Sequence, residues 1–496
     1  FFCTSMVWFT LFTIIGSIVA IAWFIGYVYF HVTTRLAIPR HEKTNEKLNG
    51  PSPYFVVGIN PISHKPTHLH KRFNDYCNQF GDFFWFSLFF EVGICIGDPE
   101  ILTELMNNKE FTMRMYPPLF DRYLKNRGIL FTNDLPHWKV QRAAALQGIM
   151  KTSHLKKIAV WTNNTVDKFL ERLDKTYSTN DKFELEIDPE FSKVALDVIG
   201  QAAFSIEVNS VVEANSNFTQ LVNKVMNMTA KYNYLPPWIY RIYYPSGLKE
   251  GEDALIELRN MVRTLLLERR KGGDFTTRND LLDILLSFQQ DGEQEITDED
   301  IILTCWDMFI AGHETTAHSL AWSMYFLSRN LELQEEVFKE IEREIGDNIP
   351  DFDNIKNLNL CQNIVKEALR LKPVIPIFTR ISPTEQTLAG YKLAPNTPIL
   401  ICNSRLHVHP KYWDNPLKFD PHRWSRMENQ ELMPYRPFGF GARACVGSRM
   451  TFIESKVVLA KFLKTYRVLP HDSKIEEVLQ ITLAPKGLKL YLQKRK

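Results

Sequence analysis

The sequence predicts a mainly α protein with small β-sheets, preceded by an N-terminal transmembrane helix. Three observations support this prediction. Helix-like segments dominate from Thr67 onward, strand-like apolar runs are few and short, and the chain opens with a long apolar stretch without charge. With 496 residues, of which 45% are hydrophobic, the chain is long enough to bury a large core.

The uncharged stretch Val7–Phe30 predicts the membrane helix. At a rise of about 1.5 Å per residue, it can cross a hydrocarbon layer of roughly 30 Å. A cleaved signal peptide is the alternative, but the apolar run is too long and no basic segment precedes it. By the positive-inside rule, the basic residues that follow place the rest of the chain in the cytosol. They are Arg35, Arg40, Lys43 and Lys47.

Proline-containing segments follow the anchor, and then a series of helices and short strands. We expect residues 1–31 to form the transmembrane anchor, 32–60 a proline-containing linker and 61–496 the globular domain. Residues 271–291 begin Gly- and charge-rich, which predicts that they include a surface connection. The predicted helices are Ile101–Asn108, His137–Met150, Ala159–Asp174, Ala254–Lys271, Asp298–Ser328, Leu331–Gly346 and Leu360–Leu371. The predicted strands are Asp82–Phe89, Gly93–Gly97, Pro398–Cys402 and Gly487–Leu492.

Composition excludes several functional classes. The 59 basic residues nearly balance the 57 acidic ones, so nothing indicates a nucleic-acid partner. The chain has seven cysteines and no Cys-x-x-Cys pair, which argues against a disulfide scaffold and against a zinc module. Most of these cysteines are expected to be buried, reduced thiols of a protein that faces the cytosol.

The strongest chemical signal is the segment 438–447, which reads Phe-Gly-Phe-Gly-Ala-Arg-Ala-Cys-Val-Gly. A lone cysteine between glycines is usually a small buried hydrophobe. Here the glycines allow the backbone to approach a flat ligand closely, and Arg443 can neutralise an anionic group. The segment after Gly447 looks helical, so its N-terminal dipole would help to keep Cys445 as a thiolate.

This segment resembles the Phe-x-x-Gly-x-Arg-x-Cys-x-Gly heme loop of the cytochrome P-450 family, and further motifs from about Gly50 onward occur in the family's order. The resemblance implies the cytochrome P-450 fold with one heme b (iron protoporphyrin IX). It also implies that Cys445 is the proximal iron ligand, that Arg443 binds a heme propionate, and that Phe438 and Gly439 belong to the cofactor loop.

Further N–H donors, one tryptophan and three arginines, match places where the family holds the heme propionates. Trp138 and Arg142 resemble its Trp-x-x-x-Arg motif, and their i to i+4 spacing puts both on one helical face. An ordinary amphipathic helix is the alternative for this pair. Arg380 lies where many microsomal members place a propionate-binding arginine, and Arg114 is a further candidate. Together the arginines would offset the cost of burying a dianionic ligand.

A structural motif is expected beneath the heme pocket. Glu367 and Arg370 match the family's Glu-x-x-Arg, and their i to i+3 spacing allows them to pair. The segment 421–424 reads Pro-His-Arg-Trp, where the commoner form is Pro-Glu-Arg-Phe, but it retains Arg423. The resemblance implies that Glu367, Arg370 and Arg423 form an ionic lock with no chemical step of their own.

A polar patch interrupts the long apolar helix at 311–316, which reads Ala-Gly-His-Glu-Thr-Thr. It resembles the family's oxygen-activating motif. Ala311 and Gly312 would leave room for dioxygen over the heme, Thr315 would donate a hydrogen bond, and Glu314 would relay protons. His313 is expected to pack or to face solvent rather than to bind iron.

The substrate and the redox partner are predicted by class only. By position in the family, the resemblance implies substrate contacts in Tyr116–Leu130, Val374–Phe378 and Leu479–Leu483. Apolar residues such as Phe309, Ile310 and Ile481 suit a lipophilic substrate. The aromatic stretch Tyr232–Pro245 indicates either a membrane contact or a packed loop. No nucleotide-binding fingerprint occurs, so electrons are expected from a separate protein. A basic surface could dock an acidic reductase, with scattered solvated charges as the alternative. Its candidate residues are Lys139, Lys151, Lys156, Lys157, Arg436, Arg449 and Lys456.

These observations predict a monooxygenase on the endoplasmic reticulum membrane with a cytosolic catalytic domain. The expected partners are NADPH-cytochrome P-450 reductase, with cytochrome b5 as a second electron donor, and a sterol, fatty acid or xenobiotic substrate. One rival is a heme-thiolate isomerase or dehydratase that acts on a peroxide without a reductase. The presence of both Glu314 and Thr315 counts against it. A non-catalytic heme or lipid carrier is the other rival.

Overall fold

A computed structural model describes residues 17, 20–21, 24–52, 66–88, 91–115, 127–213, 216–232, 245–275, 277–292, 295–427 and 434–495. They form two compact units. The first contains the described residues up to Met113 and the segment Ile377–Cys402. The second contains Arg114–Pro376 and Asn403–Lys496.

Helices make up most of the described chain. Residues 24–37 form α1. The helices that follow are α2 (Leu69–Phe80), α3 (Pro99–Asn107), α4 (Leu135–Ile149), α5 (Thr152–Thr176), α6 (Ile187–Phe204), α7 (Asn217–Tyr232), α8 (Pro245–Gly272), α9 (Leu281–Asp291), α10 (Asp298–Ser328), α11 (Leu331–Glu344), α12 (Asn359–Leu371), α13 (Asn403–Leu406), α14 (Arg423–Arg426) and α15 (Ser448–Thr465).

The strands are short. They are β1 (Arg40–His41), β2 (Phe83–Leu88), β3 (Glu91–Ile96), β4 (Lys182–Glu186), β5 (Ile377–Arg380), β6 (Gln386–Leu388), β7 (Tyr391–Leu393), β8 (Ile399–Cys402), β9 (Tyr466–Pro470), β10 (Glu476–Leu479), β11 (Leu483–Lys486) and β12 (Lys489–Lys494). A mainly α fold with small sheets is therefore confirmed, and the predicted helices and strands lie close to observed ones. The stretch 271–291 includes the expected connection, which lies between α8 and α9, and its second half forms α9, capped by the Asp280 side chain.

The predicted transmembrane anchor lies largely outside the described residues. Within the part of the chain that is described, no helix is long and apolar enough to cross a membrane. Of the stretch Val7–Phe30, residues 17, 20–21 and 24–30 are described, and all of these are helical. The anchor therefore stays a prediction.

The first unit is built on two sheets. One has the strand order β2-β3-β8-β5, in which β3 and β8 are parallel and the other pairs are antiparallel. The other has the order β1-β7-β6. Aromatic side chains of α2 pack against the first of these sheets, with the ring of Phe73 5.1 Å from that of Phe86. Arg380, at the end of β5, is buried in this unit.

The second unit packs its helices around α10. A capping box begins this helix, in which the Thr297 side chain accepts from Asp300 N–H and the Asp300 side chain accepts from Thr297 N–H. Such a cap satisfies two N–H groups that the first helical turn leaves without partners. Most of α10 is buried, and α6 packs along it. Elsewhere in the core the rings of Phe169 and Phe462 stack at 6.0 Å.

Gly312 sets how closely α6 and α10 approach each other. A Cβ atom at this position would lie 2.7 Å from Cδ1 and 3.0 Å from Cγ1 of Ile199. The space that Gly312 leaves is therefore filled by an α6 side chain. The packing role of Gly312 was not visible in the motif, because the direction of a Cβ atom cannot be read from local sequence. The expected room for dioxygen stays a prediction.

We predict that Gly312→Ala lowers the free energy of unfolding by about 1–3 kcal/mol, the usual cost of adding a methyl group to a packed core. Ala is otherwise the better helix former, so a loss reports the clash. Denaturant unfolding of a double-mutant cycle with Ile199→Val, which removes the nearest atom, provides the check. Equal effects of Gly312→Ala with and without Ile199→Val would contradict the packing explanation.

Candidate active site

The Cys445 loop is shaped by its glycines and by the helix that follows it. Gly439 and Gly441 have φ values of 69° and 62°, a region that favours glycine. Cys445 N–H donates to the Phe438 carbonyl at 2.8 Å, which closes the loop. Gly447 N–H donates to Cys445 Sγ at 3.3 Å, one residue before α15 begins. The sulfur therefore lies at a helix N-terminus, where the dipole favours a thiolate.

Opposing influences act on this thiol. Burial raises the pKa of Cys445, while the N–H group of Gly447 and the positive charges of Arg114 and Arg142 lower it. The Cys445 side chain is nevertheless exposed, whereas its neighbours Arg443 and Val446 are buried. A ligand can therefore reach the sulfur, and a bound cation would stabilise the negative charge of the thiolate.

Three guanidinium groups surround the loop. Arg142 Nη2 donates to the Ala444 carbonyl at 2.6 Å, and Arg114 Nη2 donates to the Arg443 carbonyl at 3.0 Å. The Arg443 guanidinium lies 3.9 Å from the ring centroid of Trp138. Burial, and then the charge of Arg142, lower the pKa of Arg114 to about 10. Within the described residues neither Arg114 nor Arg142 belongs to an ion pair, so the cluster suits a ligand with carboxylates.

The backbone of residues 129–132 holds these side chains in place. Its carbonyls accept from the Trp138 indole N–H (3.1 Å, at Ile129) and from Arg114 Nη1 (2.7 Å, at Leu130). The Arg443 guanidinium donates to the carbonyls of Ile129 and Thr132. Trp138 was expected to donate to a propionate, but in this structure its N–H group is bonded to the backbone. It therefore helps to position the arginines.

Asp307 of α10 fixes that segment, a role that the sequence motifs did not indicate. Its Oδ2 accepts from the N–H groups of Ile129 and Leu130 at 2.7 and 2.9 Å. Gly128 has a φ of 83°, and a Cβ atom there would lie 2.3 Å from this oxygen. Burial raises the pKa of Asp307 to about 7, even though the two N–H donors and the charge of Arg114 act in the opposite direction. The available signal was an acidic residue in an apolar helix.

The segment 311–316, which resembles the oxygen-activating motif, lies in the middle of α10. Residues 310–312 and 314–315 are half-buried, although most of the helix is buried. Thr315 Oγ1 donates to the Ala311 carbonyl at 2.6 Å, and Glu314 Oε2 accepts from Thr482 Oγ1 at 3.1 Å. Burial raises the pKa of Glu314 to about 7, so this carboxyl can gain and lose a proton near neutral pH. His313 is buried, and burial lowers its pKa to about 4.

The structure brings the predicted ionic lock together in the second unit. Glu367 and Arg370 are fully buried, and the Glu367 carboxylate accepts from Arg370 Nε at 2.9 Å and Nη2 at 2.8 Å. It also accepts from Arg423 Nε and from the Trp424 indole N–H, each at 3.1 Å. Arg370 additionally donates to the carbonyls of His407, Pro416 and Lys418. The carboxylate is thus fully bonded, which a buried charge requires.

Comparison with known proteins identifies the family. The cytochrome P-450 family model matches residues 48–492. The chain belongs to the cytochrome P-450 family. A pentalenene oxygenase of Streptomyces avermitilis is 30% identical over 62% of this chain and 68% of its own length. A bifunctional cytochrome P-450/NADPH–P-450 reductase of Bacillus cereus is 24% identical over 92% of this chain and 43% of that relative. The crystal structure of a mutant cytochrome P-450 heme domain superposes with a TM-score of 0.79, covering 90% of this chain and 98% of that one, at 22% identity.

Cytochromes P-450 are monooxygenases that bind heme through a cysteine thiolate, and the described site fits that cofactor. Cys445 would hold the iron, and the guanidinium groups of Arg114, Arg142 and Arg443 would balance the heme carboxylates. Arg380 belongs to the first unit, where its Nη1 donates to the Thr379 carbonyl at 2.8 Å. Its assignment to a propionate stays a prediction.

One predicted docking residue of this P-450 is wrong, and parts of the predicted substrate and membrane segments are not described. Lys456 is wrong as a docking residue, because it is buried and its Nζ donates to the Ile355 carbonyl at 3.1 Å. Its long alkyl stem is covered by the core, which its position beside the Cys445 motif did not reveal. Of the predicted substrate and membrane segments, residues 116–126 and 233–244 lie outside the described residues.

We predict that Asp307→Ala lowers the free energy of unfolding by about 1–3 kcal/mol, because two buried N–H groups lose their acceptor. It should also accelerate heme loss, since the carbonyls that hold Arg114 and Arg443 are released. The matched control is Asp197→Ala, because Asp197 likewise accepts from two N–H groups, those of Ser210 and Val211. Heme transfer to an acceptor protein measures the loss, and equal rates in both variants would contradict the prediction.

Replacement of the iron ligand gives the sharpest spectral test. In Cys445→Ala, the reduced protein with CO should lose the absorption that marks thiolate ligation. Cys361→Ala, which removes a buried thiol of α12, should keep that absorption. An intact thiolate spectrum in the Cys445 variant would show that another sulfur holds the iron.

Proposed function

We propose that this cytochrome P-450 is a membrane-anchored monooxygenase that inserts one oxygen atom of O2 into a lipophilic small molecule. The overall reaction is R–H + O2 + 2 e− + 2 H+ → R–OH + H2O. When bound, the heme supplies the redox chemistry that activates O2. The protein must pair the heme carboxylates with positive groups, hold the substrate and deliver protons.

The observation that carries the proposal is the pair Glu314 and Thr315 in the half-buried part of α10. Glu314 exchanges a proton near neutral pH because burial raises its pKa to about 7. Thr315 has a hydroxyl group whose donation to the Ala311 carbonyl can be exchanged for donation to a ligand. An isomerase that rearranges a peroxide needs no protons from such a pair, so the pair favours the monooxygenase.

A lipophilic substrate is proposed from the apolar residues near this region of the second unit. Ile310 and Ile481 are half-buried and apolar, which suits contact with an apolar guest. Phe309, Val374 and Leu483 are fully buried and belong to the core. Sterols, fatty acids and xenobiotics are the candidate classes, and a screen for substrate-induced spectral shifts across them would discriminate among them.

Electrons are proposed to come from NADPH through NADPH-cytochrome P-450 reductase, with cytochrome b5 as a second donor. The relative from Bacillus cereus joins a P-450 to such a reductase in one polypeptide. Lys139, Lys151 and Arg449 are exposed and could attract an acidic partner. Lys156 is exposed too, although it pairs with Asp353 at 3.1 Å. Weaker reductase binding at high salt would support this surface.

The location proposed is the endoplasmic reticulum membrane, with the catalytic part in the cytosol. The proposal rests on the uncharged stretch Val7–Phe30 and on the basic residues that follow it. Deletion of residues 1–31 should release the protein from membranes at least partly and leave heme binding intact. Loss of heme from a folded truncated protein would place the anchor within the heme-binding part.

We predict that Thr315→Ala and Glu314→Gln reduce productive turnover, typically by about 10²–10⁴-fold for a lost acid–base partner. NADPH consumption should outrun product formation, because reductant is diverted into hydrogen peroxide or water. The measurement is the ratio of product formed to NADPH consumed with reductase in excess. Thr316→Ala, at the buried neighbouring threonine, is the control. Unchanged ratios in both test variants would favour the isomerase or the carrier.

A further inference from the structure

A row of polar side chains leads from Glu314 toward the surface of the second unit. Thr482 Oγ1 donates to Glu314 Oε2 at 3.1 Å and lies 2.8 Å from His318 Nδ1. On the other side of the imidazole, Nε2 lies 3.5 Å from Asp188 Oδ1. Each of these four side chains thus has a neighbour in the row within ion-pair or hydrogen-bond distance.

Helical geometry accounts for this alignment. Glu314 and His318 are four residues apart, so they lie on one face of α10. Asp188 is in the first turn of α6, the helix that packs along this face. Thr482 immediately precedes β11. Its neighbour Leu483 is fixed by two hydrogen bonds, from the Trp322 indole N–H to its carbonyl (3.0 Å) and from its own N–H to the Val374 carbonyl (2.9 Å).

The row becomes more exposed toward Asp188. Thr482 is 2% exposed, the His318 side chain 7% and the Asp188 side chain 16%. Glu186, at the N-cap of α6, is exposed. The row therefore joins two half-buried carboxyl groups through two buried side chains, and Asp188 lies two residues from the exposed Glu186.

A purely structural cluster would be expected to satisfy its buried polar atoms. Asp188 Oδ1 is buried and accepts no hydrogen bond within the described residues, although His318 Nε2 lies 3.5 Å away. The two atoms are thus close, but they do not form a hydrogen bond. Such an unpartnered oxygen is suited to a group that is sometimes protonated.

We propose that Asp188, His318 and Thr482 carry protons from the surface to Glu314. The proposal rests on the monooxygenase function, which consumes two protons in each turnover. It adds a route by which Glu314 regains the proton that it has released.

The proton balance of one transfer can be followed atom by atom. The protonated Asp188 gives its proton to His318 Nε2 while Nδ1–H passes to Thr482 Oγ1. The original Thr482 hydroxyl proton passes to Glu314 Oε2. Asp188 becomes a carboxylate, Glu314 a carboxylic acid, and the imidazole stays neutral in its other tautomer. Reprotonation of Asp188 by solvent and reorientation of the imidazole restore the starting state.

The charges around the row agree with this sequence. Burial, followed by the charges of Glu314 and Glu186, raises the pKa of Asp188 to about 7. Burial also raises the pKa of Glu314 to about 7, so the two end carboxyls are closely matched. Burial and the neighbouring His313 lower the pKa of His318 to about 3. The ring is therefore neutral, and the transfer needs a concerted exchange of its two N–H positions.

The decisive variants are Thr482→Val and Thr482→Ser. Valine keeps the shape of threonine without its hydroxyl group, whereas serine keeps the hydroxyl group. With reductase in excess, product per NADPH should fall about 10-fold or more in Thr482→Val, in line with the loss of a proton-transfer partner. The solvent deuterium isotope effect on product formation should rise, and Thr482→Ser should restore both values.

A second readout does not depend on turnover. In the ferric protein, the infrared carbonyl band of protonated Glu314 should shift in Thr482→Val, because its hydroxyl partner is gone, and return in Thr482→Ser. Glu314→Gln identifies the band. Ser323→Ala, which removes another buried hydroxyl of α10, is the control and should change neither the band nor the coupling.

The outcomes separate the relay from the function on which it rests. Absence of reductase-dependent product in the unaltered protein would overturn the monooxygenase. Normal turnover with unchanged coupling and isotope effect in Thr482→Val would overturn the relay alone. A loss that Thr482→Ser fails to restore, with an unshifted Glu314 band, would identify Thr482 as a packing residue and would also overturn the relay.

Discussion

The concentration of positive charge around one sulfur is the constraint on which the second unit depends. Arg114, Arg142 and Arg443 are brought out of bulk water around the loop of Cys445. Burial of a guanidinium group is costly unless its N–H donors find acceptors. Backbone carbonyls are suitable acceptors because they bring no negative charge that would compete with the thiolate or with an anionic ligand.

Those carbonyls must therefore be held at fixed positions, and the described structure assigns this task to α10. The helix presents Asp307 to the segment that bonds the arginines, and Glu314 and Thr315 occur on the same helix about two turns later. One rigid element thus sets both the arginine side and the proton-donating side of the site. A shift of α10 would alter both together, and its packing against α6, which leaves no room for a side chain at Gly312, opposes such a shift.

Local patterns predicted much of this arrangement, whereas contacts between distant parts of the sequence could not be predicted. The pairing of Glu367 with Arg370 follows from a three-residue spacing on one helix, and the glycine-rich loop before Cys445 follows from its composition. Asp307 and Ile129 are far apart in sequence, and nothing in either segment indicates the other. Burial of Lys456 and the use of Gly312 by Ile199 depend in the same way on neighbours brought by the fold.

The buried and the exposed cysteines of the described chain differ in chemical vulnerability. Cys77, Cys95 and Cys402 are buried together in the first unit. The thiol pKa of Cys95 is raised chiefly by burial, and that of Cys77 chiefly by its contact with Cys402. Oxidation and alkylation require the thiolate, so these sulfurs are protected from the peroxide that an uncoupled oxygenase releases. Cys445 is the exposed cysteine among the described residues. Among the described cysteines, oxidation by peroxide is therefore expected first at Cys445, the sulfur that bound heme would cover.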